Sequence, residues 1–163
     1  MIIHPIPPVY DEHAKILILG SFPSVKSREE GFFYGHPQNR FWKVISAVYG
    51  EDTPRTVSDK KAFLLRNHIA LWDVIGSCDI DGSSDSSIRN VSANDLSVIL
   101  EHADIRNIYV NGQTAYKYYR RYSENKTGRS AICLPSTSPA NAAWSADRLT
   151  IAWSCIKKDP EIN

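Results

Sequence analysis

A three-layer α/β/α sandwich around a central four-stranded parallel sheet is the fold that this sequence predicts, and three observations predict it. Short, nearly continuous apolar runs alternate with amphipathic segments, the pattern of α/β folds. Each apolar run stops at a glycine, a turn or a polar residue. The chain of 163 residues, 42% of them hydrophobic, has the size and core content of one domain, so a single domain over 1–163 is expected.

The first run, Lys15-Ile16-Leu17-Ile18-Leu19 ending at Gly20, reads as a strand buried on both faces. Three further strands are expected at His68 to Val74, Ile105 to Val110 and Ala131 to Leu134. Between them, Phe41, Val44, Ile45, Val48 and Tyr49 fall at helical spacing, with Gly50 as the stop. Ser58 is the expected N-cap of a helix over Asp59 to Arg66, and Ser92 with Asp95 resembles a capping box ahead of Leu96, Ile99 and Leu100. Asn111-Gly112 leads into a helix over Gln113 to Tyr122. The last helix puts Leu149, Ala152, Trp153 and Ile156 on one face.

Four parallel strands place ligands at their carboxyl ends. That rule selects Gly20 to Ser24, Asp73 to Asp79, Asn111 to Gln113 and Pro135 to Pro139. Nineteen basic against eighteen acidic residues leave a net charge of +1, so any attraction for nucleic acid rests on local patches. Lys117, Arg120, Arg121, Lys126 and Arg129 form one such patch, readable as a phosphate track or as a solvated face. No signal-peptide pattern or membrane-spanning run is read, and a cytoplasmic protein without a membrane partner is expected. Cys78, Cys133 and Cys155 are too scattered for a disulfide framework or a metal site. The loop Asp79 to Asp85 has an apolar Ile80 and no closing glutamate, which argues against calcium.

Three loops carry possible chemistry. Gly20-Ser21-Phe22-Pro23-Ser24 is a rigid turn whose main-chain N–H groups can face a ligand, and it has neither phosphate-loop nor dinucleotide spacing. Gly31-Phe32-Phe33-Tyr34-Gly35-His36-Pro37-Gln38-Asn39-Arg40-Phe41-Trp42 offers aromatic rings as core filling or as a stacking shelf for a nucleobase. Within it, Asn39 is placed either to cap the following helix or to act on a substrate, and His36 to bond its own loop. Leu134-Pro135-Ser136-Thr137-Ser138-Pro139 is a stiff loop with hydroxyls for phosphate oxygens, or an ordinary turn.

In this order, the segments resemble the uracil-DNA glycosylase superfamily over most of the chain. Gly20 to Ser24 sits where that superfamily carries GQDPY, GINPG or GMNPG. His36 to Trp42 is similar to the HPxNRFW segment of its mismatch-specific branch, and Leu134 to Pro139 takes the place of HPSPLS or NPSGLS. Two departures stand out: Phe22 replaces the water-activating Asp or Asn, and Leu134 replaces the His or Asn that donates to the base. The hypoxanthine-DNA glycosylase branch resembles this pattern, with GSFP in the first motif and its catalytic Asn in the HPxN segment.

The resemblance implies a monofunctional, cofactor-free and metal-free DNA glycosylase of base excision repair that flips a deaminated base out of double- or single-stranded DNA. Hypoxanthine is the first expectation. A uracil- or mismatch-specific enzyme and an inactive DNA-binding relative are the alternatives; a small-molecule nucleotide-binding domain is a third, less well served by the loops. It assigns Asn39 as the catalytic residue, holding the attacking water by its amide oxygen. The Phe22 N–H, Tyr34 (or Phe33) as stacking ring and Asp73 as acceptor for the base complete the pocket. Asp73 also reads as a turn cap. Ser21, Ser24, His36, Ser136, Thr137 and Ser138 are the expected DNA contacts. A monomer acting on nucleoid DNA in a prokaryotic cytoplasm is expected.

Overall fold

A computed structural model describes residues 1–157. In chain order these form β1 (Ile2–Ile3), β2 (Ile16–Gly20), α1 (Val25–Glu30), α2 (Phe41–Val48), α3 (Val57–Arg66), β3 (Ile69–Asp73), β4 (Ile75–Asp79) and β5 (Arg89–Ala93). Then follow α4 (Ser97–Leu100), β6 (Asn107–Asn111), α5 (Gln113–Tyr118), α6 (Glu124–Thr127), β7 (Ile132–Leu134) and α7 (Ala146–Trp153). The four expected strands are β2, β3, β6 and β7, and they pair in parallel in the order β3-β2-β6-β7.

Why β2 is central follows from its sequence. Ile16 and Ile18 enter one apolar cluster and Leu17 and Leu19 the other, so alternate residues bury both faces. The first cluster joins α2, α3 and α7 to the sheet through Phe41, Ile45, Phe63, Leu149 and Trp153. The second, with Leu96, Ile99, Ala115 and Tyr119, covers the opposite face. From β2 the chain goes to β3 on one side and later to β6 on the other, so the order reverses at β2. In open parallel sheets that reversal opens a crevice at the strand ends.

Four local expectations change. The N-cap of α3 is Thr56, whose hydroxyl accepts the Asp59 N–H at 3.0 Å, and Ser58 lies inside the helix. Ser92 is a strand residue paired with Ser77, while Asp95 Oδ1 alone accepts the Ser97 N–H at 3.1 Å. The helix expected over Gln113 to Tyr122 is interrupted: α5 passes through a π-helical turn at Tyr119–Ser123 into α6. A six-residue helix, α1, was not expected; Ser24 caps it and Gly31 ends it with φ +73.

A second, antiparallel sheet, β1-β4-β5, was not expected either. It matters for the site. After Asp73 the chain runs through Val74 straight into β4, and β1 pairs with β4 so that Ile3 faces Ser77. The His4 N–H then donates to Gly76 O at 2.8 Å, which brings the amino-terminal segment beside the end of β3.

Candidate active site

The carboxyl ends of β2, β3, β6 and β7 open onto one cleft of about 990 Å³. Gly20 to Ser24, Asp73, Asn111 to Thr114 and Pro135 to Asn141 all line it, as do Tyr34, His36 and Asn39 from the aromatic loop. The three loops singled out in the sequence therefore meet in one place.

Asn39 is held there by a relay. Its Oδ1 accepts the Phe41 N–H at 2.9 Å, the bond of a helix cap, and also the Thr137 hydroxyl at 2.9 Å. Thr137 Oγ1 in turn accepts from Asn111 Nδ2 at 3.0 Å, and Asn111 Oδ1 accepts the Thr137 N–H at 3.1 Å. An amide oxygen has two lone pairs, and both are engaged. The expectation that Oδ1 holds a water is corrected accordingly: Nδ2 is the polar atom that Asn39 has left to offer. Next to it, Arg40 gathers the loop after β7. Its guanidinium donates to Ser138 O at 2.9 Å, Asn141 O at 3.0 Å and Trp144 O, and its N–H to Thr137 O at 3.1 Å.

Across the cleft, Asp73 is 3% exposed. Its Oδ2 lies 2.7 Å from His4 Nε2. His4 Nδ1 accepts the Ile6 N–H at 3.1 Å, which leaves the ring proton on Nε2 and makes His4 the donor to Asp73. Phe22 and Trp72 meet the imidazole edge-on at 5.8 and 6.4 Å, and Phe33 lies tilted at 6.1 Å. The other oxygen, Oδ1, sits over Gly20: a Cβ there would lie 2.5 Å from it and 2.9 Å from the Tyr34 hydroxyl. Only glycine fits that contact.

Tyr34 has φ +53, a conformation that non-glycine residues rarely adopt and that occurs often at ligand sites. One face of its ring stacks on Phe41 with centroids 4.1 Å apart. Its hydroxyl is buried and makes no well-formed hydrogen bond among the described residues, with the Asn111 amide as its polar neighbour. Burial first, and the Asp73 carboxylate second, push the phenol far up, against a smaller opposing pull from Asn111. It is therefore a neutral donor. Phe33, the alternate ring, is 2% exposed and packs edge-on against Phe32 at 5.4 Å, so it belongs to the core.

The expected DNA contacts divide. Thr137 is fully buried and its hydroxyl serves Asn39 and Asn111, which removes it from phosphate binding. Ser24 is committed as the α1 cap, bonded to the Ser27 N–H at 3.2 Å and donating to its hydroxyl. Ser136 and Ser138 shape their own loop by accepting the N–H groups of Ser138 and Ala140, each at 3.1 Å, while still lining the cleft. His36 Nδ1 accepts the Gln38 N–H at 3.1 Å; Ser21 lines the cleft beside Gly20. Of the basic patch, Lys117, Arg120 and Arg121 each lie over a tyrosine ring, and Arg129 instead donates to Ile105 O at 2.6 Å. Three participants escaped sequence reading: His4, Arg40 and Trp144, whose indole carries the Arg148 guanidinium at 3.8 Å. Asn111 was selected there only as part of a strand-end segment, without a role.

Four parallel strands that end in an aromatic shelf, a buried carboxylate and a pinned amide define an α/β domain with a polar and aromatic cleft at the strand ends. The chain belongs to the uracil DNA glycosylase superfamily, whose family model matches residues 7–157. Over 150 residues it is 37% identical to a protein of Methanosarcina acetivorans named hypoxanthine DNA glycosylase, a match spanning 91% of this chain and 94% of the relative. A protein of the same name from Methanosarcina barkeri is 35% identical over 114 residues, 69% of this chain and 72% of that one. The solution NMR structure of a candidate uracil DNA glycosylase from Methanosarcina acetivorans superposes with a TM-score of 0.78 at 35% identity, covering 93% of each chain.

Proposed function

We propose that this protein is a monofunctional DNA glycosylase that removes deaminated bases, hypoxanthine first among them, from DNA. The observation that carries the proposal is the pairing of a pinned Asn39 with a buried carboxylate, Asp73, in one cleft at the strand ends. The names of the two relatives support the choice of base.

The deoxynucleotide swings out of the helix into the cleft, at least cost where its pairing is weakest. The face of Tyr34 turned away from Phe41 supports the base. The Phe22 N–H, which no protein group among the described residues accepts, donates to the carbonyl of the base. Asp73 Oδ1 accepts its ring N–H. The C1′–N9 bond then breaks with its electron pair going to the purine, leaving an oxocarbenium-like sugar. Asn39 Nδ2 holds the water whose oxygen bonds to C1′; one water proton is released, and the purine leaves protonated. A water meeting a cationic sugar needs placement more than deprotonation, so an amide suffices. The products are free base and an abasic site.

Oligonucleotides carrying a single deoxyinosine, deoxyuridine or mismatch test the reading, with Asn39→Ala beside the parent. Deoxyinosine is cleaved by the parent, and Asn39→Ala loses about 10²–10³-fold in single-turnover rate. Bound but uncut deoxyinosine with the parent chain would instead mark a non-catalytic relative.

A further inference from the structure

We propose that His4 is a positioning residue that ties up one oxygen of Asp73 and thereby aims the other, as an acceptor, at the ring N–H that deamination creates. The inference rests on the base-binding role of Asp73 given above and adds a specificity rule to it.

The argument begins with the tautomer. Ile6 N–H points at Nδ1, so Nδ1 is an acceptor and the only ring proton sits on Nε2, 2.7 Å from Asp73 Oδ2. The imidazole cannot turn over without breaking the Ile6 bond. Its side chain is 3% exposed and wedged against Phe22, Phe33 and Trp72. One carboxylate oxygen is thus tied to a donor. The other, Oδ1, accepts no hydrogen bond from the described residues and sits over Gly20, in a residue that lines the cleft.

An ionised carboxylate has lone pairs and no proton to give. Adenine presents a lone pair at N1, and cytosine one at N3. Against Oδ1 each places two acceptors face to face. Deamination converts both edges to a ring N–H beside a carbonyl, which is the complement of an acceptor beside a donor. The chemical class selected is therefore the lactam base, and its parent amino base is excluded. Buried acceptor–donor matching of this kind discriminates far more strongly than pocket shape, because a mismatch leaves buried polar groups unpaired.

His4 becomes visible when Asp73 is made an amide. In Asp73→Asn the His4 Nε2–H still demands an acceptor, so the amide oxygen turns to His4 and the NH2 turns to the cleft. The site then shows a donor where the base also has one. In His4→Ala with Asp73→Asn that demand is gone, and the amide is free to present its oxygen to the base. His4→Gln with Asp73→Asn does the same, since a glutamine reverses to offer its own oxygen.

The test measures single-turnover cleavage of a deoxyinosine duplex, binding of a duplex carrying uncleavable 2′-fluorinated deoxyinosine, and melting temperature, for the parent and these variants. Asp73→Asn is expected to lose about 100-fold in rate, with weaker binding of the uncleavable base. His4→Ala alone loses about 10-fold. Each double variant is expected to cleave at least about 10-fold faster than Asp73→Asn alone, which two independent structural defects would not do. His4 nitrogen NMR shifts should show protonated Nε2 and bare Nδ1 in the folded parent. Losses that multiply in both double variants, or an Asp73→Asn enzyme as active as the parent, would overturn the role of His4. A parent chain that leaves deoxyinosine uncut would overturn the proposed function instead, so the two failures are distinct.

Discussion

Thr137→Val removes one oxygen from the centre of the site and little else. The side chain is fully buried, and valine keeps its shape. Two hydrogen bonds go, the one given to Asn39 Oδ1 and the one taken from Asn111 Nδ2, while the Thr137 N–H keeps its bond to Asn111 Oδ1. At about 1 kcal/mol net for each bond, the loss is about 2 kcal/mol, or roughly 4–8 °C in melting temperature for a domain of this size. Asn39 keeps only the Phe41 N–H. Its amide is then free to swing, and a displacement on the order of 1 Å at a reacting group costs about 10²-fold. Thermal melts and single-turnover cleavage of deoxyinosine at 25 °C, where the variant stays folded, measure the two effects separately. Thr137→Ser, which restores the hydroxyl, should recover most of the rate. If Thr137→Val melts early yet cleaves at the parental rate, the relay holds the fold together but does not aim Asn39.

Gly20→Ala puts a methyl group 2.5 Å from Asp73 Oδ1 and 2.9 Å from the Tyr34 hydroxyl, so both must move. A stability cost of about 1–3 kcal/mol is expected, with a loss of deoxyinosine binding that exceeds it in relative size. Tyr34→Phe deletes a buried hydroxyl that makes no well-formed hydrogen bond among the described residues and should raise the melting temperature by about 2–4 °C, read by calorimetry; a drop would show that the Asn111 amide bonds it in solution. Glu51 accepts from Arg66 Nε and Asn67 Nδ2, each at 2.8 Å, and these bonds, Arg66 first, hold its carboxyl below the usual range. A carboxyl lowered by folding stabilises the protein above its unfolded pKa, and that contribution fades as pH falls through the folded value. Glu51→Gln is therefore expected to cost about 0.5 kcal/mol at neutral pH and nothing in acid, seen as two denaturation curves that converge.

What the sequence made legible follows from how local each signal is. β2 shows in Ile16 to Leu19 because burial on both faces demands an unbroken apolar run. β5, Arg-Asn-Val-Ser-Ala, is mostly exposed and polar, and its pairing with β4 shifts register twice, so no period marks it. Ser92 and Asp95 look like a capping pair by spacing, but cross-strand pairing to Ser77 takes the serine first. The loops of the site were readable as loops. Their inner wiring was not, because the contacts that join the loops span the chain: His4 to Asp73 is 69 residues apart, Thr137 to Asn39 is 98. Thr137 looks like any exposed hydroxyl in a proline-bracketed turn until tertiary packing buries it. Asn39 is the reverse case. Its capping bond and its place in the cleft were both visible in the sequence, and they are compatible because the cap occupies Oδ1 and leaves Nδ2 uncommitted among the described residues.

Moving the amide into a loop has a structural cost that Arg40 helps to offset. With Phe22 in the loop just after β2 and Leu134 buried at 5% exposure, neither strand-end motif presents a polar side chain at those positions. The remaining amide stands on the segment before α2, where no sheet ladder holds it. A loop residue aims a water only if its rotamer is locked by neighbours. Here the lock comes from two directions, the first turn of α2 and the loop after β7, and Arg40 binds that same loop at three carbonyls. The loop after β7 lines the same cleft as Asn39. Any displacement of it therefore pulls on Thr137 and, through Thr137, on Asn39. Arg40→Ala, which releases those main-chain carbonyls, is therefore expected to lower the cleavage rate without touching the base.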